Sequence, residues 1–404
     1  MKHVGSGGTD PGAGVIPYAA GAAVLAAAMG LGRFAYTPLL AIMRHDAGLS
    51  VAFAGFLASA NLTGYLVGAL IATLRVVRMR RRAALCAGAA LLVLTTLTMC
   101  LPWPWWLPSR FLTGVASGVM FVLVVSMLLD RSSRVASRWG VPVLFSGVGI
   151  GIAVPGVLVP AFAHFGGSRG GWFGTGLMAA LILAVALPFV RELASPSAVT
   201  TPGNGSTLVS PPPDAGRSRA FWPLALAYGL EGAAYVIPAT FLVAMVSDIP
   251  ALARFAASAW IFVGLAAAPA AALWNAVARR VGKGLALTLA MTVQALAFFA
   301  PRFAPGLIGV LVGSVGLGLT FIGITFLTTA VARDMRPSDT NVAVGWLTVI
   351  YGVGQIVGPL VAVRIYAATS SYEDAVAAAG GMIALGAVVF GVPALRGVAR
   401  SAHA

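Results

Sequence analysis

The chain has 404 residues, of which 59% are hydrophobic and only 9% charged. Soluble domains carry about 25% charged residues, so composition excludes a water-soluble fold and leaves a multi-spanning membrane protein. The net charge of +15 does not mark a nucleic-acid binder, because the basic residues, nearly all Arg, are scattered through short loops and form no single stripe.

Apolar runs of about 20 residues, separated by short polar breaks, predict an all-α membrane protein of twelve transmembrane helices. They cover residues 15–41, 49–74, 83–101, 109–129, 140–163 and 171–190, then 221–247, 254–278, 284–304, 305–332, 341–367 and 371–396. Cys86 and Cys100 fall in one predicted helix, about 21 Å apart along its axis, too far to bridge. Residues 1–14 and 398–404 read as tails. Residues 191–220, rich in Ser, Thr, Pro and Gly, read as a flexible linker between two six-helix bundles at 15–190 and 221–397.

Loop charge orients the helices. With the N-terminus inside, 19 of the 26 Lys and Arg fall on the cytoplasmic side, and only Arg44, Arg169, Arg254, Arg302 and Arg364 fall outside. Short cytoplasmic loops carry the excess of basic residues, so both termini are expected in the cytoplasm. The turn "LPWPWWLP", residues 101–108, then places three Trp at the opposite interface, where indoles favour the headgroup level.

Two charges fall deep inside predicted helices, away from their edges. Arg33 lies in "GLGRFAYTPLL" and Glu231 in "GLEGAAY", and the other ten acidic residues fall in tails, loops or span edges. The two stretches align at an offset of 199. "SANLTG" at 59–64 and "SAWIFVG" at 258–264 follow in the same order, as do "GVG" at 147–149 and 352–354. An internal repeat of this kind predicts two pseudo-symmetric bundles with a site near the bilayer midplane. The alignment sets Glu231 one position from Arg33, so the two are expected to face each other, or a shared wet cavity, near mid-depth.

Here the chain resembles the major facilitator superfamily, over nearly its whole length. "GLGRFAYTPLL" followed by "GFLASANLTGYLVGAL" is similar to its bacterial YbfB/YjiJ-like subgroup. "RFLTGVASG" is similar to the superfamily's Arg-x-x-x-Gly-x-x-x-Gly pattern, with Arg110, Gly114 and Gly118 on the matching positions. The resemblance implies a role for Arg110 in proton coupling. Gly354, Gly358 and Pro359 match part of a pattern associated with exporters, but in the eleventh helix and not the fifth. The loop after the second helix keeps Gly68 and Leu70 yet has Ala72 and Thr73 where the superfamily places an Asp. The resemblance also implies a bacterial inner membrane.

Each candidate residue has a bland reading beside the functional one. Arg33 with Tyr36, and Glu231 with Tyr235, share helical faces by spacing. They form either a substrate and proton site or a static ion pair between the halves. Asn61 and Tyr65 share a face of the second helix, where Asn61 reads as interhelical glue or as a ligand contact. Trp260, Trp346, Tyr351 and Gln355 read as cavity wall or as packing. Arg110 reads as a coupling residue or as a side chain reaching for headgroups.

The expected function is secondary transport of a small organic, anionic metabolite with protons as coupling ion, by a monomer in a lipid bilayer. Arg33, Tyr36, Asn61, Tyr65, Tyr235, Trp260 and Gln355 would bind substrate, and Glu231 and Arg110 would handle the proton. A proton-driven exporter of amphipathic drugs and a non-transporting receptor or scaffold are the alternatives. No enzyme, cofactor or metal is expected. His3, His45, His164 and His403 lie in tails and outer segments, and no loop ends in Gly-Lys-Ser/Thr.

Overall fold

A computed structural model of the chain describes residues 11–132, 140–193, 215–336 and 340–402. The centre of the linker, Arg134, Arg138 and the extreme ends of both tails lie outside the described residues. The regular structure among the described residues is helical. Span one runs as an α-helix Pro11–Leu25, a π-helical segment Ala26–Phe34 and an α-helix Tyr36–Asp46. Spans two to six are Val51–Thr73, Arg81–Leu97, Trp106–Ser132, Gly140–Ala163 and Gly167–Leu193. Span seven is Ala215–Ser247, span eight the pair Ala256–Ala267 and Ala270–Val281, and spans nine to twelve are Lys283–Phe303, Leu307–Met335, Thr340–Thr369 and Tyr372–Ala402.

Three departures from the sequence reading have local causes. Span one continues past residue 41 to Asp46, so Arg44 and His45 occupy its last turn beyond the apolar stretch. Span eight is not continuous: its two helices meet at 44°. Pro269 stands at that break, where its ring leaves no N–H for the preceding turn. Span one is not uniformly α either. Its π segment widens the helix over nine residues, where such segments are mostly a single turn.

The helix pairs in contact show the internal symmetry. In the first half spans 1–4, 1–5, 1–6, 2–4, 3–4, 3–6 and 5–6 pack together. The second half repeats each of these advanced by six, as 7–10, 7–11, 7–12, 8–10, 9–10, 9–12 and 11–12, and adds contacts of span eight with seven and nine. Between halves, spans 1–7, 2–11 and 5–8 touch, and exchanging the halves carries 2–11 into 5–8. The fold is therefore twelve helices in two pseudo-symmetric bundles. Spans one and seven, the most buried, lie at its centre. Spans three, six, nine and twelve turn Leu94, Val185, Leu296 and Val388 outward as part of an exposed apolar belt.

Small residues set how closely these helices approach. At the crossing of spans two and four, a Cβ on Gly64 or Gly68 would strike the backbone of Phe111 or Val115, and one on Gly114 or Gly118 that of Asn61 or Tyr65. Without a hydrophobic drive inside lipid, such backbone approach is a main source of helix association. The Gly-x-x-x-Gly part of "RFLTGVASG" is thus a packing surface. Gly149 and Gly264 do the same across the halves, between spans five and eight. Gly114→Val is expected to lower the melting temperature of the detergent-purified protein by several degrees. Gly345→Ala, whose Cβ would meet nothing within 4 Å, is expected to leave it within a degree or so; differential scanning fluorimetry compares the two.

Candidate functional site

Arg33 is the penultimate residue of the π segment, near the middle of span one, and is 6% exposed. A cation at the centre of a transmembrane helix costs about 2.5–3.5 kcal/mol on insertion scales, so its surroundings must compensate. Its Nη2 donates to the Tyr235 hydroxyl of span seven at 2.6 Å, across the junction of the halves. The guanidinium carbon also lies 5.0 Å from the Phe34 ring centroid and 4.9 Å from that of Tyr65. Cation–π contacts of this kind contribute about 0.5–2 kcal/mol each. Tyr235 accepts a second hydrogen bond from Gln355 Nε2 of span eleven at 2.7 Å.

Glu231 is fully buried one turn before Tyr235, and no ion pair joins it to Arg33. Of the two expected arrangements, the one in which Arg33 and Glu231 face each other directly is not adopted. The carboxylate faces its own bundle, where Gln294 Nε2 of span nine donates a long bond of 3.5 Å to Oε1. Tyr351 is its other polar neighbour, and Oε2 has no hydrogen-bond partner. A sequence repeat places two residues at the same depth but leaves their rotation about the helix axis open. One position of offset is about 100° of rotation. Tyr235, one turn beyond Glu231, is the group that reaches Arg33.

Arg110 is 2% exposed, so it does not reach for headgroups. Its Nη1 donates to the Gly32 carbonyl at 3.1 Å and its Nη2 to the Arg33 carbonyl at 3.4 Å. Pro38 lies just beyond, with no N–H to offer back to the carbonyls of this turn. Arg110 thus anchors the end of the π segment that carries Arg33. Tyr36 belongs to the same anchor and not to the seam. Its ring lies 4.6 Å from the Arg110 guanidinium, and its hydroxyl donates to the Ala54 carbonyl at 2.9 Å. Arg33 and Tyr36 do not share a face, because the wider π turn changes the rotation between them. Asn61 donates to the Arg110 carbonyl at 2.9 Å, which makes it glue between spans two and four.

The aromatic residues form one connected set. Phe321, Tyr235, Tyr351 and Tyr228 stack face to face, with centroids 5.6, 5.7 and 4.2 Å apart in turn. Phe34 joins this ladder to Trp260, at 6.3 Å from Phe321 and 6.2 Å from Trp260. Trp346 is 43% exposed and stands apart from it. Gln294, Phe34, Phe321 and Tyr228 escaped the sequence reading. Gln294 carried a signal, being a lone amide in an apolar run; the three rings carried none, since aromatic residues are common in membrane spans.

The geometry is thus a cation, a carboxyl group and a ring ladder at mid-depth between two six-helix bundles. A family model described as "Uncharacterised MFS-type transporter YbfB" matches residues 25–390. The chain belongs to this major facilitator family. The transporter also shares its fold with a solved structure, a mutant of the nucleoside transporter NupG, at a TM-score of 0.71 and 16% identity. That match covers 93% of this chain and 99% of the other. At such identity the likeness concerns the fold alone. No curated protein sequence matches the transporter.

The two arginines of the transporter should respond differently to substitution. Arg110→Gln leaves buried carbonyls short of donors, at about 1–3 kcal/mol each. It is expected to depress the melting temperature by several degrees more than Arg33→Gln. Equal shifts in a thermal melt would contradict the anchoring role.

Proposed function

We propose that this membrane transporter moves a small organic anion by alternating access, coupled to protons. One observation carries the reading: a mid-span cation of the first bundle is held by a hydroxyl of the second, with a buried carboxyl group one turn away. That bond lies on the seam that must shift when two bundles rock about a central site. An arriving carboxylate replaces the neutral hydroxyl with an anionic acceptor, which the guanidinium can hold by two parallel hydrogen bonds. Glu231, free of any ion pair, takes up or releases a proton without first breaking one.

The contacts between spans one and seven support rocking. They run from Arg33–Tyr235 through Thr37, whose hydroxyl donates to the Ala239 carbonyl, to Arg44–Asp248 at 3.3 Å. All lie from mid-depth towards the arginine-poor end. With the arginine-rich loops and both termini in the cytoplasm of a bacterial inner membrane, this arrangement is closed to the outside. The ring ladder supports a second reading, export of flat amphipathic drugs.

Proteoliposome uptake with a panel of labelled organic acids tests the proposal. Arg33→Ala is expected to reduce uptake of the transported acid by at least about tenfold, since each lost charge-assisted hydrogen bond is worth about 1.5–3 kcal/mol. Normal export of cationic drugs by the same variant would favour the second reading. Glu231→Gln should abolish accumulation driven by a pH gradient while exchange of internal for external substrate persists. Full gradient dependence in that variant would remove Glu231 from coupling. Arg44→Glu should slow transport, and the double variant Arg44→Glu with Asp248→Arg should recover much of it.

A further inference from the structure

The Tyr235 oxygen is fully occupied. It accepts from Arg33 Nη2 at 2.6 Å and from Gln355 Nε2 at 2.7 Å. A hydroxyl has one proton to give and two lone pairs to accept with, so both lone pairs are taken and its own proton must go to a third group. Tyr351 of span eleven is that group. Its ring lies parallel to that of Tyr235, with centroids 5.7 Å apart and 6° between the planes, and the two hydroxyls are within hydrogen-bonding reach. Gly232, next to Glu231, makes room for it: a Cβ there would stand 2.6 Å from the Tyr351 carbonyl oxygen and 2.9 Å from its ring.

The Tyr351 proton has an acceptor beyond Tyr235. The Glu231 carboxyl group also lies within reach of its hydroxyl, and Glu231 Oε2 is buried without a hydrogen-bond partner. While Glu231 is ionised the donors therefore point one way: Arg33 and Gln355 to Tyr235, Tyr235 to Tyr351, and Tyr351 to the carboxylate. A proton arriving on Glu231 removes the anionic acceptor, the stronger of the two partners of Tyr351. The Tyr351 proton then turns back to Tyr235, where three donors meet two lone pairs and one must leave. Arg33 is the donor that an incoming carboxylate can hold, and the displaced Tyr235 proton turns to the same carboxylate. The ionisable groups around Glu231 are Tyr228 and Tyr235 of its own span and Tyr351; span nine adds the neutral Gln294, and span ten adds Thr325, at Tyr228.

We infer that Tyr351 is the positioning residue that links the two charged groups. Its single hydroxyl proton serves either Glu231 or Tyr235, so an anion at Arg33 and a proton on Glu231 bind together. This inference rests on the anion-transport reading above and fixes its sense, cotransport of anion and proton in one direction. By linkage, each raises the affinity for the other by the same factor.

The test is isothermal titration calorimetry of the detergent-purified protein in buffers of differing ionisation enthalpy. Acetate, lactate, succinate and benzoate are the probes, between about pH 7 and about pH 9, where the acids themselves are ionised. At its maximum over this range the wild-type protein is expected to take up at least about half a proton for each anion bound, the value that a roughly tenfold linkage gives. Tyr351→Phe should cut that uptake to less than about a third, because the carboxyl group no longer reaches Tyr235. Gln355→Leu should do the same for a different reason: it frees a lone pair on Tyr235, so Arg33 need not leave. A merely structural role for Tyr351 alters affinity and not the proton count. Undiminished proton uptake in either variant overturns the role of Tyr351 and leaves proton-coupled transport standing. Proton release by the wild-type protein reverses the sense and overturns the inference. Binding without any proton change removes the coupling, and binding of none of the four probes removes the anion reading; the inference falls in both cases. Gln355→Leu carries the test if Tyr351→Phe does not fold.

Discussion

A guanidinium in the middle of a hydrocarbon layer cannot shed its proton, so the protein must be built around it. Much of the centre of this molecule follows from that constraint at Arg33. Two ring faces and a hydroxyl from the opposite bundle surround it, and that hydroxyl is fixed by Gln355. A hydrogen bond to a charged group in low dielectric is stronger than the same bond in water. Placing it on the seam ties the two bundles together near mid-depth, with Thr37–Ala239 and Arg44–Asp248 continuing the contact towards one end of spans one and seven.

The second buried arginine does a different job by the same physics. Arg110 never crosses the seam. It binds carbonyls at the end of the π segment, next to a proline that cannot. Irregular backbone at membrane depth is tolerated only where protein groups satisfy it. The π segment, the proline and Arg110 are therefore one structural unit whose product is the position of Arg33. Asn61 and the glycines of spans two and four hold Arg110 in turn. Two guanidinium groups in adjoining helices thus divide the work: one shapes the backbone, the other meets the opposite bundle.

Glu231 is solvent-shielded and loosely held by one long amide bond, while Arg33 is held by Tyr235. Had the two charges met directly, each would have neutralised the other, and releasing either would have meant breaking a buried pair at several kcal/mol. Holding Arg33 by a hydroxyl leaves both groups available. The ring ladder that carries this hydroxyl continues to Tyr351 and Tyr228, so the polar centre is framed by surfaces that tolerate both charge and apolar contact.

Membrane architecture was legible in the chain because hydrocarbon imposes length and composition on every helix that crosses it. Twelve runs, the internal repeat and the presence of Arg33 and Glu231 at mid-depth needed nothing more. The glycines of span four were visible as a pattern and proved to be packing contacts. What linear order cannot encode is rotation about a helix axis. Whether Arg33 meets Glu231 or Tyr235, whether Tyr36 joins it or turns to Arg110, and whether Arg110 faces inward are decided by azimuth. A single π segment or a proline resets that azimuth without altering hydropathy. Depth was written in the sequence, because lipid reads it locally; direction was settled by the neighbours each helix found.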